Sequence, residues 1–148
     1  MAYSAIRRCE HCGANNRIPA RHLSDAGRCG VCKATLPPRS EPMEVDRESF
    51  DQIIGEARVP VLVDFWAAWC GPCRTAAPEV HALAREVAGK ALVLKVDTEA
   101  QPELAARYRV QSIPTFLVFN RGKAVLQRSG VAPRGEMRSW LERAAVPV

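Results

Sequence analysis

Six cysteines fall into three Cys-x-x-Cys pairs: Cys9/Cys12, Cys29/Cys32 and Cys70/Cys73. The third pair has its own setting. It lies in Trp69-Cys70-Gly71-Pro72-Cys73, directly after the apolar run Val59–Trp66 and before a stretch of helical periodicity. A strand-to-helix junction of this kind puts the first sulfur at a helix N-terminus, where unpaired N–H groups and the dipole favour a thiolate. The second sulfur follows one turn later, within reach of a disulfide. The alternative for this pair is half of a metal site, but no unassigned cysteine remains to complete it.

The other four cysteines read Cys-x2-Cys-x16-Cys-x2-Cys, the spacing of a four-thiolate zinc site. Two residues between ligands allow one tight turn to offer both sulfurs to a tetrahedral metal. Gly13 and Gly30 suit those turns; Lys33 stands where a glycine would make the second turn match the first. With Cys9, Cys12, Cys29 and Cys32 all sulfur, a bound Zn2+ is structural, one per chain, with no position open for a catalytic water. His11 and His22 are then spare. Two structural disulfides or free thiols remain the alternatives.

The elements that must position these groups follow from pattern. Residues 1–36 hold few large apolar side chains and need a staple to offset their ordering entropy. Residues 37–42, Pro-Pro-Arg-Ser-Glu-Pro, read as a linker. From residue 43 to residue 148 the pattern is a packed α/β domain. A short strand at 43–45 leads to Asp46 as an N-cap and a helix ending near Gly55 or Ala57. Strand 59–66 and the cysteine turn follow, then a helix from about Cys73 to Val87 with Pro78 inside it and Gly89 as its stop. Strand 91–97, a short helix from Pro102 to Tyr108, a hairpin of 115–120 with 123–129 turning at Arg121-Gly122, and a helix over 133–145 complete the chain. The order β-α-β-α-β-α-β-β-α predicts a mixed sheet flanked by helices. Asp64 interrupts an apolar strand and must be paired or have a raised pKa.

Composition sets limits. The chain has 148 residues, 47% apolar and 25% charged, as expected of an ordinary globular protein. No apolar run is long enough to span a membrane, and no signal-peptide core is present, so the cytoplasm is the expected compartment. The net charge of +5 lies wholly in residues 1–40. It is too small, with too few interleaved aromatics, to argue for nucleic-acid binding. Nothing signals oligomerisation, so a monomer is expected.

Taken together, these motifs resemble the thioredoxin family, and the resemblance covers nearly the whole chain. It rests on Val63-Asp64-Phe65-Trp66-Ala67, Trp69-Cys70-Gly71-Pro72-Cys73, Pro78, Ser112-Ile113-Pro114-Thr115 and Gly130, with Asn16-Arg17-Ile18-Pro19 beside the N-terminal cysteines resembling the zinc-carrying bacterial thioredoxin 2 type. The resemblance implies the thioredoxin fold with a small N-terminal four-cysteine zinc-ribbon module, and protein-disulfide reduction. Cys70 is implied as nucleophile and Cys73 as resolving thiol, with Gly71 and Pro72 setting the turn. Asp64 is implied as proton acceptor, with Lys95 as its partner. A cis Ile113–Pro114 bond is implied, and Trp69, Gly71, Pro72, Ile113, Pro114, Gly130 and Val131 form an apolar rim for substrate. Trp66 and Trp140 are expected to pack and His81 to face solvent; Arg74 fits either the family's basic residue beside Cys73 or an exposed side chain. Implied partners are a thioredoxin reductase and disulfide-bearing clients of the ribonucleotide reductase, methionine sulfoxide reductase and peroxiredoxin types. A competing reading makes the zinc segment a redox-regulated binding or chaperone module. Thr75-Ala76-Ala77 is smaller than in many relatives, which predicts looser packing under the cysteine helix.

Overall fold

The structure is a computed structural model and describes residues 3–145. In the C-terminal part β5 (Met43–Glu44), β6 (Val61–Trp66), β7 (Leu92–Asp97), β8 (Thr115–Asn120) and β9 (Lys123–Ser129) form one sheet in the order β5-β7-β6-β8-β9. The first three are parallel; β8 runs antiparallel to β6, and β9 to β8. Strand β6 lies at the centre, which explains its nearly unbroken apolar sequence. Alternation divides it cleanly. Val61, Val63 and Phe65 pack with Phe50 and Ile53 of α1 (Arg47–Glu56) and Leu104 of α3 (Pro102–Arg107). Leu62 packs on the other face, with Ala76 and Val80 of α2 (Gly71–Glu86) and Met137, Trp140 and Leu141 of α4 (Arg134–Ala145). Phe50, Tyr108 and Phe119 meet edge-on in the first layer.

The expected elements are present, with ends moved by one or two residues. Helix α1 starts at an Asp46 capping box, in which the Ser49 N–H donates to Asp46 Oδ1 at 2.9 Å and the Asp46 N–H to Ser49 Oγ at 3.0 Å. Helix α2 begins at Gly71, two residues before the expected start, because Cys70 is its N-cap and Pro72 fits the first turn. It runs on through Pro78, which is exposed and removes only one N–H. Ala76 beneath it is fully buried and Thr75 is exposed, so the small residues lie partly on the outer face. Arg121 and Gly122 both have positive φ, 53° and 81°, as the two-residue hairpin turn requires.

The N-terminal part contains two small antiparallel ladders, β1 (Ser4–Arg8) with β2 (Asn15–Pro19) and β3 (Gly27–Arg28) with β4 (Thr35–Leu36), joined by a 3₁₀ turn over Ala20–His22. It is not an isolated bead. Ala20 and Leu23 are buried in the same cluster as Phe50 and Ile53, with Tyr3, Ala5 and Ile18 packed against it. The Tyr3 N–H donates to Gln52 Oε1 of α1 at 2.6 Å. Arg7 crosses the segment to donate to the Leu23 and Asp25 carbonyls at 3.1 and 3.2 Å. Among the described residues no helix is long and apolar enough to cross a membrane.

Candidate functional site: a dithiol at a helix start and a four-sulfur cluster

Strand β6 delivers the chain to Cys70, and α2 begins on the next residue. Cys70 and Cys73 are joined by a disulfide, with Cα atoms 5.3 Å apart. The Cys73 N–H donates to Cys70 Sγ at 3.1 Å. An unpaired donor of the first helical turn thus points at the Cys70 sulfur, the arrangement that stabilises a thiolate there after reduction. The two residues are only 3% and 6% exposed, so a substrate disulfide must be brought to them by the surface around them.

That surface gathers from three places. Trp69, Gly71 and Pro72 are exposed on one side. Ile113 is half-buried on the other, its carbonyl oxygen 3.7 Å from Cys70 Sγ, and the Ile113–Pro114 bond is cis. Gly130 and Val131 follow β9; the Gly130 N–H donates to the Pro114 carbonyl at 2.9 Å. Trp69 and Val131, at 66% and 47% exposure, are among the largest apolar side chains left in solvent. Three supports escaped the sequence reading. Glu99 Oε1 accepts the Trp69 indole N–H at 2.7 Å and steadies its ring. Thr115 Oγ1 donates to the Ser112 carbonyl at 2.6 Å and lies 3.0 Å from Ser129 Oγ, which ties the proline loop to β9. No motif marks Glu99 or Ser129, because both act through pairings that only the fold creates.

Asp64 lies on the α2-facing side of β6 between Leu62 and Trp66. It is 3% exposed, and its Oδ1 has no hydrogen-bond partner among the described residues. Burial pushes its carboxyl up to about 7; the Lys95 ammonium draws it back and Glu44 raises it further. Lys95 is its register partner on β7. No ion pair within 4 Å joins the two among the described residues; the Lys95 Nζ sits 4.2 Å from the Trp66 ring centroid instead. Trp66 and Ile113 both pack against the cluster of Ala67, Cys70 and Cys73. Trp140 is buried against Phe116, while Arg74 and His81 are exposed.

The four N-terminal sulfurs also converge. Cys9 and Cys32 are 3.6 Å apart, as are Cys12 and Cys29, and all four ligand atoms lie within 4.8 Å of one another. Tetrahedral zinc with Zn–S near ~2.3 Å needs sulfurs about 3.8 Å apart, so the cluster fits that ion. The Cys29 thiol is held low by the Cys32 and Val31 backbone N–H groups and by the Asn16 side chain. Asn16 bridges the two halves: its Nδ2 reaches Cys29 Sγ at 3.6 Å and its Oδ1 accepts the Gly30 N–H at 2.9 Å. His11 is exposed and His22 pairs with Asp25 at 2.8 Å; neither joins the sulfur group.

The two knuckles are near copies. The Gly13 N–H donates to the Cys9 carbonyl at 2.8 Å and the Lys33 N–H to the Cys29 carbonyl at 3.0 Å. Gly13 has φ 81° and Lys33 has φ 65°, so a lysine occupies a left-handed position that glycine takes without steric penalty. Lys33→Gly is expected to stabilise the folded chain by about 0.5–1 kcal/mol, read as a higher midpoint in thermal unfolding. An unchanged or lower midpoint would show that the lysine contacts outweigh the strain.

A family profile described as Thioredoxin matches residues 41–143, and one described as Thioredoxin 2, N-terminal matches residues 8–34. Thioredoxin C-3 of Corynebacterium nephridii is 38% identical over 135 residues, covering 91% of this chain and 92% of its own length. Thioredoxin 1 of Nostoc sp. is 41% identical over 104 residues, 70% of this chain and 97% of its own. Among solved structures, a mutant thioredoxin from Halobacterium salinarum superposes with a TM-score of 0.68 at 31% identity, over 74% of this chain and 96% of that one.

Proposed function

Since the chain belongs to the thioredoxin family, we propose that its thiol–disulfide oxidoreductase chemistry runs through Cys70 and Cys73, with Asp64 and Lys95 managing the proton. The observation that carries this reading is the Cys70 sulfur capping a helix start beside the Ile113 carbonyl, already bridged to Cys73. In the reduced chain the Cys70 thiolate attacks one sulfur of a substrate disulfide. A mixed disulfide forms and the other substrate sulfur leaves as a thiolate. Cys73 then gives up its proton, with Asp64 as the acceptor beneath it, and its thiolate attacks Cys70. The second substrate thiolate departs, two electrons have passed to substrate, and the Cys70–Cys73 disulfide remains. Gly71-Pro72 holds the turn. Trp69, Ile113, Gly130 and Val131 supply an apolar platform with backbone groups suited to an extended segment, and the buried Pro114 holds the cis bond beside them.

The family implies a thioredoxin reductase as electron donor and disulfide-bearing proteins as clients. Ribonucleotide reductase, methionine sulfoxide reductase and peroxiredoxin types are the clients proposed here. The division into a zinc module of residues 1–36, a linker of 37–42 and a thioredoxin domain of 43–148 belongs to the same reading, as does one Zn2+ held by Cys9, Cys12, Cys29 and Cys32 and a cytoplasmic, monomeric protein. Zinc supplies a rigid four-sulfur staple for a segment poor in apolar side chains. Reduction of insulin disulfides by NADPH through a thioredoxin reductase tests the activity. Metal analysis of protein purified under reducing conditions tests the staple, with about one zinc per chain expected. Absence of either would overturn the corresponding part.

Asp64 adds a pH dependence whose sign is fixed. Its ordinary pKa is 3.8 and its folded value about 7. Between those values the folded chain keeps a proton that the unfolded chain has released. The stability tied to this proton is full below about pH 4 and is lost as pH rises through 7. Asp64→Asn is therefore expected to stabilise the protein at pH 8 by about 2–4 kcal/mol, with much less gain at pH 5, while slowing disulfide reduction. Urea unfolding at the two pH values checks it; an equal gain at both would refute a buried titrating carboxyl.

A further inference from the structure

Glu44 carries no part of the chemistry above, yet the sheet register places it on the same row. Glu44 of β5 is the partner of Lys95 on β7, and Lys95 is the partner of Asp64 on β6. Partners in register project from the same face, so the row reads carboxylate, ammonium, carboxyl across three adjacent strands. Met43 and Val45 flank Glu44 and go into the opposite core, which leaves Glu44 on the α2 side. The row is graded in solvent. Asp64 is buried, Lys95 half-buried and Glu44 exposed at the sheet edge. Trp66, two residues beyond Asp64 on the same face, is the ring over which the Lys95 ammonium rests. Burial pushes the Glu44 carboxyl above its ordinary value; the Lys95 ammonium draws it back, as does the Trp66 indole N–H, which falls short of hydrogen-bond geometry with it.

We infer that Glu44 is a positioning residue: it shares the Lys95 ammonium with Asp64 from the far side of the row and so keeps the Asp64 carboxyl ready to hold a proton near neutral pH. A lysine facing a single carboxylate would lower its basicity and leave it a weak acceptor for a proton. A second carboxylate on the same lysine weakens that pull and adds its own negative charge. Burial acts in the same direction, and Lys95 opposes it. Asp97 of β7 also acts on Glu44, and the cluster that holds the Cys73 sulfur of α2 packs against Trp66, the ring over which the Lys95 ammonium rests. The neighbour of Asp64 on β8 is Phe116, which carries no charge. The consequence for turnover rests on the reading that Asp64 accepts the Cys73 proton; the effect on Asp64 itself does not.

The test follows the Asp64 side-chain carbon by NMR through a pH titration of the full-length protein, in both its disulfide and dithiol states. Glu44→Gln is expected to lower the Asp64 midpoint by about 0.5 pH unit or more, and Glu44→Asp to restore most of the difference. The pH profile of insulin reduction should move the same way. A merely structural role for Glu44 would leave the titration where it was. An unmoved or raised midpoint in Glu44→Gln overturns the inference. If the midpoint falls and the pH profile does not follow it, Glu44 still sets the state of Asp64, and the proton-acceptor role of Asp64 is what fails.

Discussion

Cys73→Ser is expected to stop catalytic turnover and to leave the protein covalently joined to its substrate through Cys70. The first step needs only the Cys70 thiolate, and the serine keeps the backbone N–H that donates to Cys70 Sγ. The second step needs a sulfur one helical turn away. With the two Cα atoms 5.3 Å apart, that sulfur works at an effective concentration far above any free thiol in solution, since well-placed intramolecular partners reach about 10⁵ M or more. Without it, release waits on external thiols, and insulin reduction should fall by about a thousandfold or more. Mass spectrometry of the incubated protein should show the adduct. Cys70→Ser should lose activity equally and form no adduct, because the sulfur that caps the helix start and receives its N–H is gone. Residual turnover within tenfold of the parent in Cys73→Ser, or an adduct on Cys70→Ser, would reverse the assigned order of the two sulfurs.

The second large effect is expected at the other sulfur cluster. Stripping the metal with a strong chelator should unfold the N-terminal segment and also weaken the domain behind it. A four-thiolate zinc site contributes on the order of 10–16 kcal/mol to the structure it closes, and the segment has few apolar residues to replace that. Leu23, 1% exposed, and Ala20 belong to the same core as Phe50 and Ile53. Loss of the segment therefore opens one wall of the α1 layer. Leu23→Ala isolates this packing contribution with the sulfurs intact: it should cost about 2–4 kcal/mol and lower the melting temperature by roughly 5–12 °C. Retained zinc in that variant, with a lowered melting temperature, would separate packing from metal binding. A melting temperature within about 1 °C of the parent, which is below the shift expected for 1 kcal/mol in a chain of this size, would show that the two parts are independent.

Most of the larger part of the fold is legible from residue order because its signals are local. Asp46 with Ser49, Arg121-Gly122 and the apolar run ending at Trp66 each specify their element through nearby chemistry. The sulfurs are legible for the same reason: two residues of spacing is itself a geometric statement. What escaped is non-local. Residues 1–36 were expected to have little core, yet Ala20 and Leu23 find theirs on α1, a helix more than twenty residues further along. The β1 and β2 hairpin has no strong alternation, and its strands are held by the Cys9–Gly13 turn and side-chain bonds such as that of Arg7 to Leu23. Glu44 belongs to no motif and sits in a strand of two residues; only the parallel register with Lys95 gives it company. Lys33 stood out as a departure from glycine, and the backbone shows why: it adopts the left-handed turn all the same.

The hairpin turn at Arg121-Gly122 has a practical side. Strand β6 ends at the disulfide, and β8 begins at the cis-proline loop and runs the opposite way, so this turn marks the pole farthest from the reactive sulfurs. A molecule tethered to a solid support there would present its working end outward, free to meet bulky proteins. The architecture thus comes with a handle and a business end already sorted to opposite sides.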